Sequence, residues 1–376
     1  MHSPPNLGST MTDSAQPSDQ RAPSRRSGEL VGIQYLRGIA AIMVVVFHLK
    51  SSFERMGYAG PPAGLSSGVD IFFVISGFIM VLTTAGKNTS PLTFWWRRLT
   101  RIAPLYWLVT AFMVSVTLIA PNAVQSSAYE TWHVLASFLF IPASHPVLHG
   151  FSPVIIQGWT LNYEIFFYFI FGISLLLPNR FQIPSTLVII SLLVLSALIF
   201  PPPASSIRSF YASSIILEFG MGMILALLAR PKGLLSKLPS GLGLSLVALG
   251  FVVLALTEGD SIWRAVERGL PSMAIVAGVL ILESKKPFSE SRILHALGNA
   301  SYSIYIIQGI LTSALAQAWR HANLDGGIGS LLAFSIIDVA LCAGGGFLCY
   351  AWIERPLTQL AHKGGARRAR LRSATA

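Results

Sequence analysis

The chain has 376 residues, 53% of them hydrophobic and only 11% charged, with a formal net charge of +11. Its mean hydropathy is +0.61, whereas a soluble globular domain carries about 25% charged residues, so the composition excludes an ordinary soluble enzyme. Repeated apolar stretches of about 20 residues instead specify an all-α, polytopic membrane helical bundle. The excess of Lys and Arg is that of cytoplasmic loops, not of a nucleic-acid-binding protein.

Residues 1–28 are rich in Ser, Pro, Gln and Arg and lack an apolar period, which predicts a disordered cytoplasmic segment. Arg25-Arg26 resembles a twin-arginine export signal, but a long apolar stretch follows without a small-residue cleavage site, so a retained span is expected. Ten spans can be drawn: 31–50, 68–86, 99–120, 153–177, 184–200, 209–229, 239–257, 269–284, 299–318 and 328–353. The apolar stretch 131–142 is too short to cross and fits a re-entrant or interfacial helix. With these spans, 20 of the 27 basic residues fall on one side and six on the other, with Arg37 inside the first span. The bias predicts about ten transmembrane helices with both termini cytoplasmic. The basic tail, 358–376, is then a solvated cytoplasmic end able to meet anionic lipid, and residues 29–357 form the membrane domain.

Polar groups inside spans must be satisfied within the bundle or face water, and so are functional candidates. Arg37 and His48, eleven residues apart, share one helix face and lie about 16 Å apart along the axis. Each alone fits an interfacial side chain that snorkels; their common face favours a shared task. Asp70 begins the second span from the outer side, at a depth close to His48. It fits either a carboxylate that fixes the His tautomer or an acid at a helix N-terminus. Arg98 and Arg101 share a face at the cytoplasmic boundary, suited to phosphate or to plain anchoring beside the aromatic belt of Trp95, Trp96 and Tyr106.

Glu164 lies well inside the fourth span, within W-T-L-N-Y-E (159–164), and no ordinary packing role explains it. Glu218 and Asp338 are further intramembrane acids. The ninth span places Ser301, Tyr302, Tyr305 and Gln308 at helical spacing. His133, His145 and His149 fit no familiar metal pattern, so no metal site is expected. Cys342 and Cys349, seven residues apart in one apolar run, suit neither a metal cluster nor a disulfide framework. A basic cytoplasmic mouth and an outer His at opposite ends of one bundle suit a donor with phosphates at one end and a thioester at the other, the anatomy of an acyl-CoA.

These pieces, in this order, resemble acyltransferase family 3 of integral membrane O-acyltransferases, in its exopolysaccharide O-acetyltransferase branch. The resemblance covers about residues 30–357. It rests on R-x10-H (Arg37, His48), G-V-D-I-F-F-V-I-S-G-F (68–78), R-x-x-R (Arg98, Arg101), W-T-L-N-Y-E, S-Y-S-I-Y (301–305) and the terminal E-R-P (354–356). The resemblance implies transfer of an acetyl or other short acyl group from cytoplasmic acyl-CoA, a co-substrate and not a tightly bound cofactor. The acceptor would be a hydroxyl of a surface or lipid-linked glycan, and the enzyme would lie in the cell inner membrane. By that analogy His48 is the catalytic base, Arg37 positions the donor, and Arg98 and Arg101 hold the CoA phosphates. Asp70 and Glu164 would orient the His or the acceptor hydroxyl. Trp159, Asn162, Tyr163, Ser301, Tyr302, Tyr305 and Gln308 are candidates for substrate or oxyanion contacts. Gln308 stands where many relatives have a His, which argues against a second catalytic His in the ninth span. The alternative reading, a transporter or flippase for a glycan precursor, predicts inverted halves with matching broken helices, and the sequence carries no convincing internal repeat.

Overall fold

The computed structural model describes residues 30–121, 129–148, 150–230, 233–258 and 261–361. The expected disordered segment 1–28, most of the basic tail and His149 lie outside the described residues. Helices run in chain order as α1 Val31–His48, α2 Lys50–Arg55, α3 Gly68–Thr84, α4 Pro91–Ile119, α5 Thr131–Phe138, α6 Trp159–Ser174 and α7 Asn179–Ile199. They continue as α8 Ile207–Tyr211, α9 Leu217–Leu228, α10 Leu234–Lys237, α11 Ser240–Leu256, α12 Leu270–Lys285, α13 Arg292–His321 and α14 Gly327–Cys349. Among the described residues there is no strand, only an isolated bridge between Ser144 and Phe151. Six helices among the described residues are long and apolar enough to cross a membrane, and α9 (with its 3-10 lead-in from Ser214) and α11 are shorter apolar helices. The protein is an all-α polytopic membrane bundle.

Each of the ten apolar stretches except the sixth overlaps one long helix, but the ends differ where capping chemistry overrules hydropathy. Helix α4 starts at Pro91, eight residues before the apolar run. Ser90 caps it by accepting from the Thr93 N–H, and Pro91 takes the first position, where no N–H is needed. Helix α13 starts at Arg292 because Ser291 caps it through the Leu294 N–H. The sixth stretch is broken: Ser213 is extended (ψ 144°), separating α8 from the 3-10 turn and α9. The short apolar stretch 131–142 folds as the eight-residue α5.

Packing at the centre depends on residues without a side chain. A Cβ on Gly77 of α3 would come within 1.9 Å of the Phe219 carbonyl oxygen, and one on Gly222 of α9 within 1.9 Å of that of Val74. The two backbones therefore touch, as small residues allow where lipid leaves packing to drive helix association. Helices α1 and α13 also lie close, a Cβ on Gly298 reaching the Gln34 carbonyl oxygen at 2.2 Å. They run parallel: Gln34 Nε2 donates to Asn299 Oδ1 at 2.6 Å near their starts, and Leu49 clusters with Ala316 and Phe334 near their ends. The Tyr35 hydroxyl locks this register by donating to the Ser289 carbonyl at 2.8 Å and accepting from the Ser291 N–H at 2.6 Å. Helix α1 lacks an acid in its own first turn, so Glu283 at the end of α12 accepts from the Gly32 N–H at 3.2 Å.

Candidate active site

The first helix carries both costly residues. Arg37 is half-buried, and its guanidinium donates to Gln34 Oε1 at 3.1 Å and Ser301 Oγ at 3.0 Å. The Ser301 hydroxyl in turn donates to the Gly298 carbonyl at 2.8 Å. Around Arg37, within electrostatic range, lie Arg101, Glu354, Glu164 and Tyr168. Arg98 donates to Thr83 Oγ1 at 2.6 Å and lies 5.6 Å from the Phe94 ring centroid, while its Nε is buried without a partner among the described residues. Glu164 accepts at one oxygen, Oε1, from Ser76 Oγ at 3.0 Å and from the Tyr168 hydroxyl. Glu354 accepts from Ser303 Oγ at 2.5 Å and sits on a π turn, Tyr350–Glu354, that continues α14. Three guanidiniums and two carboxylates therefore gather at one end of the bundle, with Tyr302 anchored beside them by donating to the Ile102 carbonyl at 2.7 Å.

At the far end of α1, His48 is half-buried and its Nδ1 lies 2.7 Å from the Val44 carbonyl oxygen. A carbonyl only accepts, so Nδ1 carries the proton and Nε2 presents a lone pair. That is the tautomer a general base requires, fixed by the helix backbone instead of a carboxylate. Eleven residues, about 16 Å, separate this nitrogen's residue from Arg37. Between the two ends, the Tyr305 hydroxyl lies 3.0 Å from Thr160 Oγ1 and donates to the Gln157 carbonyl at 3.1 Å. Phe72 packs edge-on to Tyr305 with centroids 6.1 Å apart.

Two expected contacts are not formed. Asp70 does not orient His48; its carboxylate is fully buried and paired two-pronged with Arg264, Nε to Oδ1 at 2.9 Å and Nη2 to Oδ2 at 3.0 Å. The reason is depth. Helix α3 starts beside Ala40 and Val44, which a Cβ on Gly68 would strike at 2.3 and 2.8 Å, so Asp70 enters below His48 and on another side. Glu218, fully buried on α9, joins Asp70, Arg264 and Arg268 in one charge network. Glu164 likewise stands with the basic cluster, level with Ser301, and not with His48. Of the fourth-span candidates, Trp159 lies under Arg264, 5.9 Å from the guanidinium carbon to the ring centroid. Tyr163 donates to the Phe210 carbonyl at 2.5 Å and stacks on the Phe210 ring at 4.2 Å, a structural anchorage. Asn162 is buried, and its Oδ1 has no partner among the described residues.

Sequence reasoning missed Gln34, Asn299, Ser76, Tyr168 and Arg264 as partners. Arg264 and Arg268, four apart just before Gly269, carried a signal: guanidiniums at helical spacing beside an apolar helix ask for buried acids. Away from this region, the His133 and His145 rings meet edge-on at 4.9 Å. Among the described residues, no group of three or more His, Cys, Asp or Glu side chains is placed to hold a metal ion.

A cluster of arginines and a tautomerically fixed His at opposite ends of a membrane bundle are the equipment of a membrane-embedded group-transfer enzyme. Residues 30–352 match the acyltransferase domain family Acyl_transf_3, and the chain belongs to that family. It is similar to the exopolysaccharide production protein ExoZ of Rhizobium meliloti, 34% identical over 305 residues covering 81% of this chain and 92% of that protein. It is also similar to the putative peptidoglycan O-acetyltransferase YrhL of Bacillus subtilis, 27% identical over 73% of this chain and 47% of that protein. The O-acetyltransferase OatA of Staphylococcus aureus is 24% identical over 89% of this chain and 58% of its own length. The chain thus spans only about half the length of the latter two. No solved structure matches it.

Proposed function

We propose that this acyltransferase moves an acetyl or other short acyl group from acyl-CoA to a hydroxyl of a surface or exopolysaccharide glycan. In this reading the bundle crosses the cell inner membrane ten times with both termini cytoplasmic, so the Arg37 end faces the cytoplasm and His48 the outer side. The observation that carries the proposal is the pairing, on one face of α1, of an arginine set in a basic cluster with a His whose Nε2 has no hydrogen-bond partner among the described residues. Arg98 and Arg101 would grip the CoA phosphates, which guanidiniums match as planar donor forks, and Arg37 would guide the pantetheine arm toward His48. The similarity to ExoZ supports a secreted polysaccharide as acceptor, and the similarity to two O-acetyltransferases supports acetyl as the group carried.

The chemistry follows from His48. As the glycan hydroxyl oxygen attacks the thioester carbonyl carbon, its proton passes to Nε2. The C–O bond forms, the carbonyl becomes a tetrahedral oxyanion, and the C–S bond then breaks. The CoA sulfur leaves with the proton returned by the imidazolium, so the base is regenerated. A bundle that excludes bulk water protects the thioester from hydrolysis.

Replacing the phosphate grip tests the donor assignment. The Arg98→Ala/Arg101→Ala variant is expected to raise KM for acetyl-CoA by about tenfold or more while kcat changes little, because uniform donor binding is lost. Steady-state assays with purified protein in lipid nanodiscs measure it. An unchanged donor KM would move the CoA site elsewhere.

A further inference from the structure

Two buried polar side chains, one on α13 and one on α14, are left short of hydrogen-bond partners among the described residues. Gln308 is 0% exposed, and neither its amide nitrogen nor its amide oxygen has a hydrogen-bond partner among the described residues. Asp338, also 0% exposed, leaves Oδ1 unpartnered, while Oδ2 accepts from Thr312 Oγ1 at 3.2 Å. Cys342 Sγ lies near both, 3.9 Å from Asp338 Oδ2 and 3.6 Å from Thr312 Oγ1. Buried polar atoms are almost always paired, and hydrocarbon offers no water to pair them. Three unpartnered atoms in one seam therefore require a polar occupant.

Register places this seam opposite the catalytic histidine. Helices α1 and α13 run parallel, and Arg37 meets Ser301. Eleven residues beyond Arg37 is His48; eleven beyond Ser301 is Thr312, on the same face of its helix as Ser301 and about 16 Å along the axis. The far contacts agree, since Val45 packs with Cys342 and Leu49 with Phe334, bracketing Asp338 one turn from each on α14. An amide offers two donors and an acceptor, and a carboxylate accepts. Neighbouring hydroxyls of a sugar ring, each both donor and acceptor, complement that set; an apolar acceptor would leave it unused.

We propose that Gln308, Thr312 and Asp338 form the subsite that holds the acceptor sugar by the hydroxyls flanking the one His48 deprotonates. This rests on the acyl-transfer reading of His48.

The test uses full-length protein in lipid nanodiscs, acetyl-CoA as donor, and alkali-de-acylated exopolysaccharide of the producing strain as acceptor. Gln308→Met keeps the volume and removes only the amide. It is expected to raise KM for the glycan by about tenfold or more, with acetyl-CoA affinity unchanged and melting temperature equal or higher. Because the Gln308 amide bonds nothing among the described residues, a merely structural role predicts an unchanged glycan KM, and that result overturns the subsite. Thr312→Val, which frees Asp338 Oδ2 at constant shape, gives a second reading with the same expectation. If His48→Ala abolishes transfer while both variants keep the wild-type glycan KM, the subsite fails alone. If His48→Ala leaves transfer intact, the underlying reading fails instead.

Discussion

Replacing His48 with Ala is expected to lower glycan acylation by about 10²–10⁴-fold, the usual contribution of a positioned general base. Among the described residues the side chain makes one hydrogen bond, from Nδ1 to its own helix backbone at Val44, so its removal costs little packing and the bundle should melt near the wild-type temperature. His48→Gln sharpens the result: Gln can still hydrogen-bond but cannot take a proton, so it should be as inactive as Ala. Mass spectrometry of surface polysaccharide from cells carrying each variant, with membrane insertion checked by immunoblot, measures the effect. Acylation at wild-type level in a correctly inserted His48→Ala protein would remove His48 from the chemistry.

Arg264→Ala is expected to cost about 3–5 kcal/mol of stability, because it strands a buried carboxylate. Asp70 is fully buried and Arg264 donates to both of its oxygens; without it, Asp70 and Glu218 would keep Arg268 as the remaining guanidinium of their charge network. Arg264→Lys should fall between, since an ammonium keeps the charge but not the two-pronged geometry. Replacing both members, Asp70→Leu with Arg264→Leu, should recover much of the loss, as burying neither charge is cheaper than burying one. Thermal unfolding in detergent, followed by tryptophan fluorescence, reads all three. A wild-type melting temperature for Arg264→Ala would mean the pair is not what holds α3 to the turn before α12.

The bundle and one axis of its site were legible in the sequence for physical reasons. A helix in hydrocarbon must be apolar over its length, so the apolar helices announce themselves, and an Arg or His inside one stands out against that background. Arg37 and His48 needed only the helical repeat to be placed on one stripe. Helix beginnings were less legible where caps lie in polar sequence: Ser90-Pro91 and Ser291 start α4 and α13 well before hydropathy rises. Pairings were least legible. Asp70 and Arg264 are 194 residues apart, and nothing in a local window shows that α3 begins level with Val44 instead of His48. Local spacing set Asp70 at the depth of His48, above where it lies, and could not show that its partner is Arg264. Glu164 shows the same lesson, since its place among the arginines depends on α6 running antiparallel to α13, with Thr160 opposite Tyr305.

The central claim is that one chain carries an acyl group from a donor held by arginines to a hydroxyl activated by His48. It is tested most directly by giving the purified protein in nanodiscs acetyl-CoA labelled in the acetyl group, with de-acylated exopolysaccharide as acceptor. The account predicts ester-linked label on the glycan with the wild type and none above background with His48→Ala. Label that appears only as free acetate, or that reaches the glycan equally with both proteins, would contradict it.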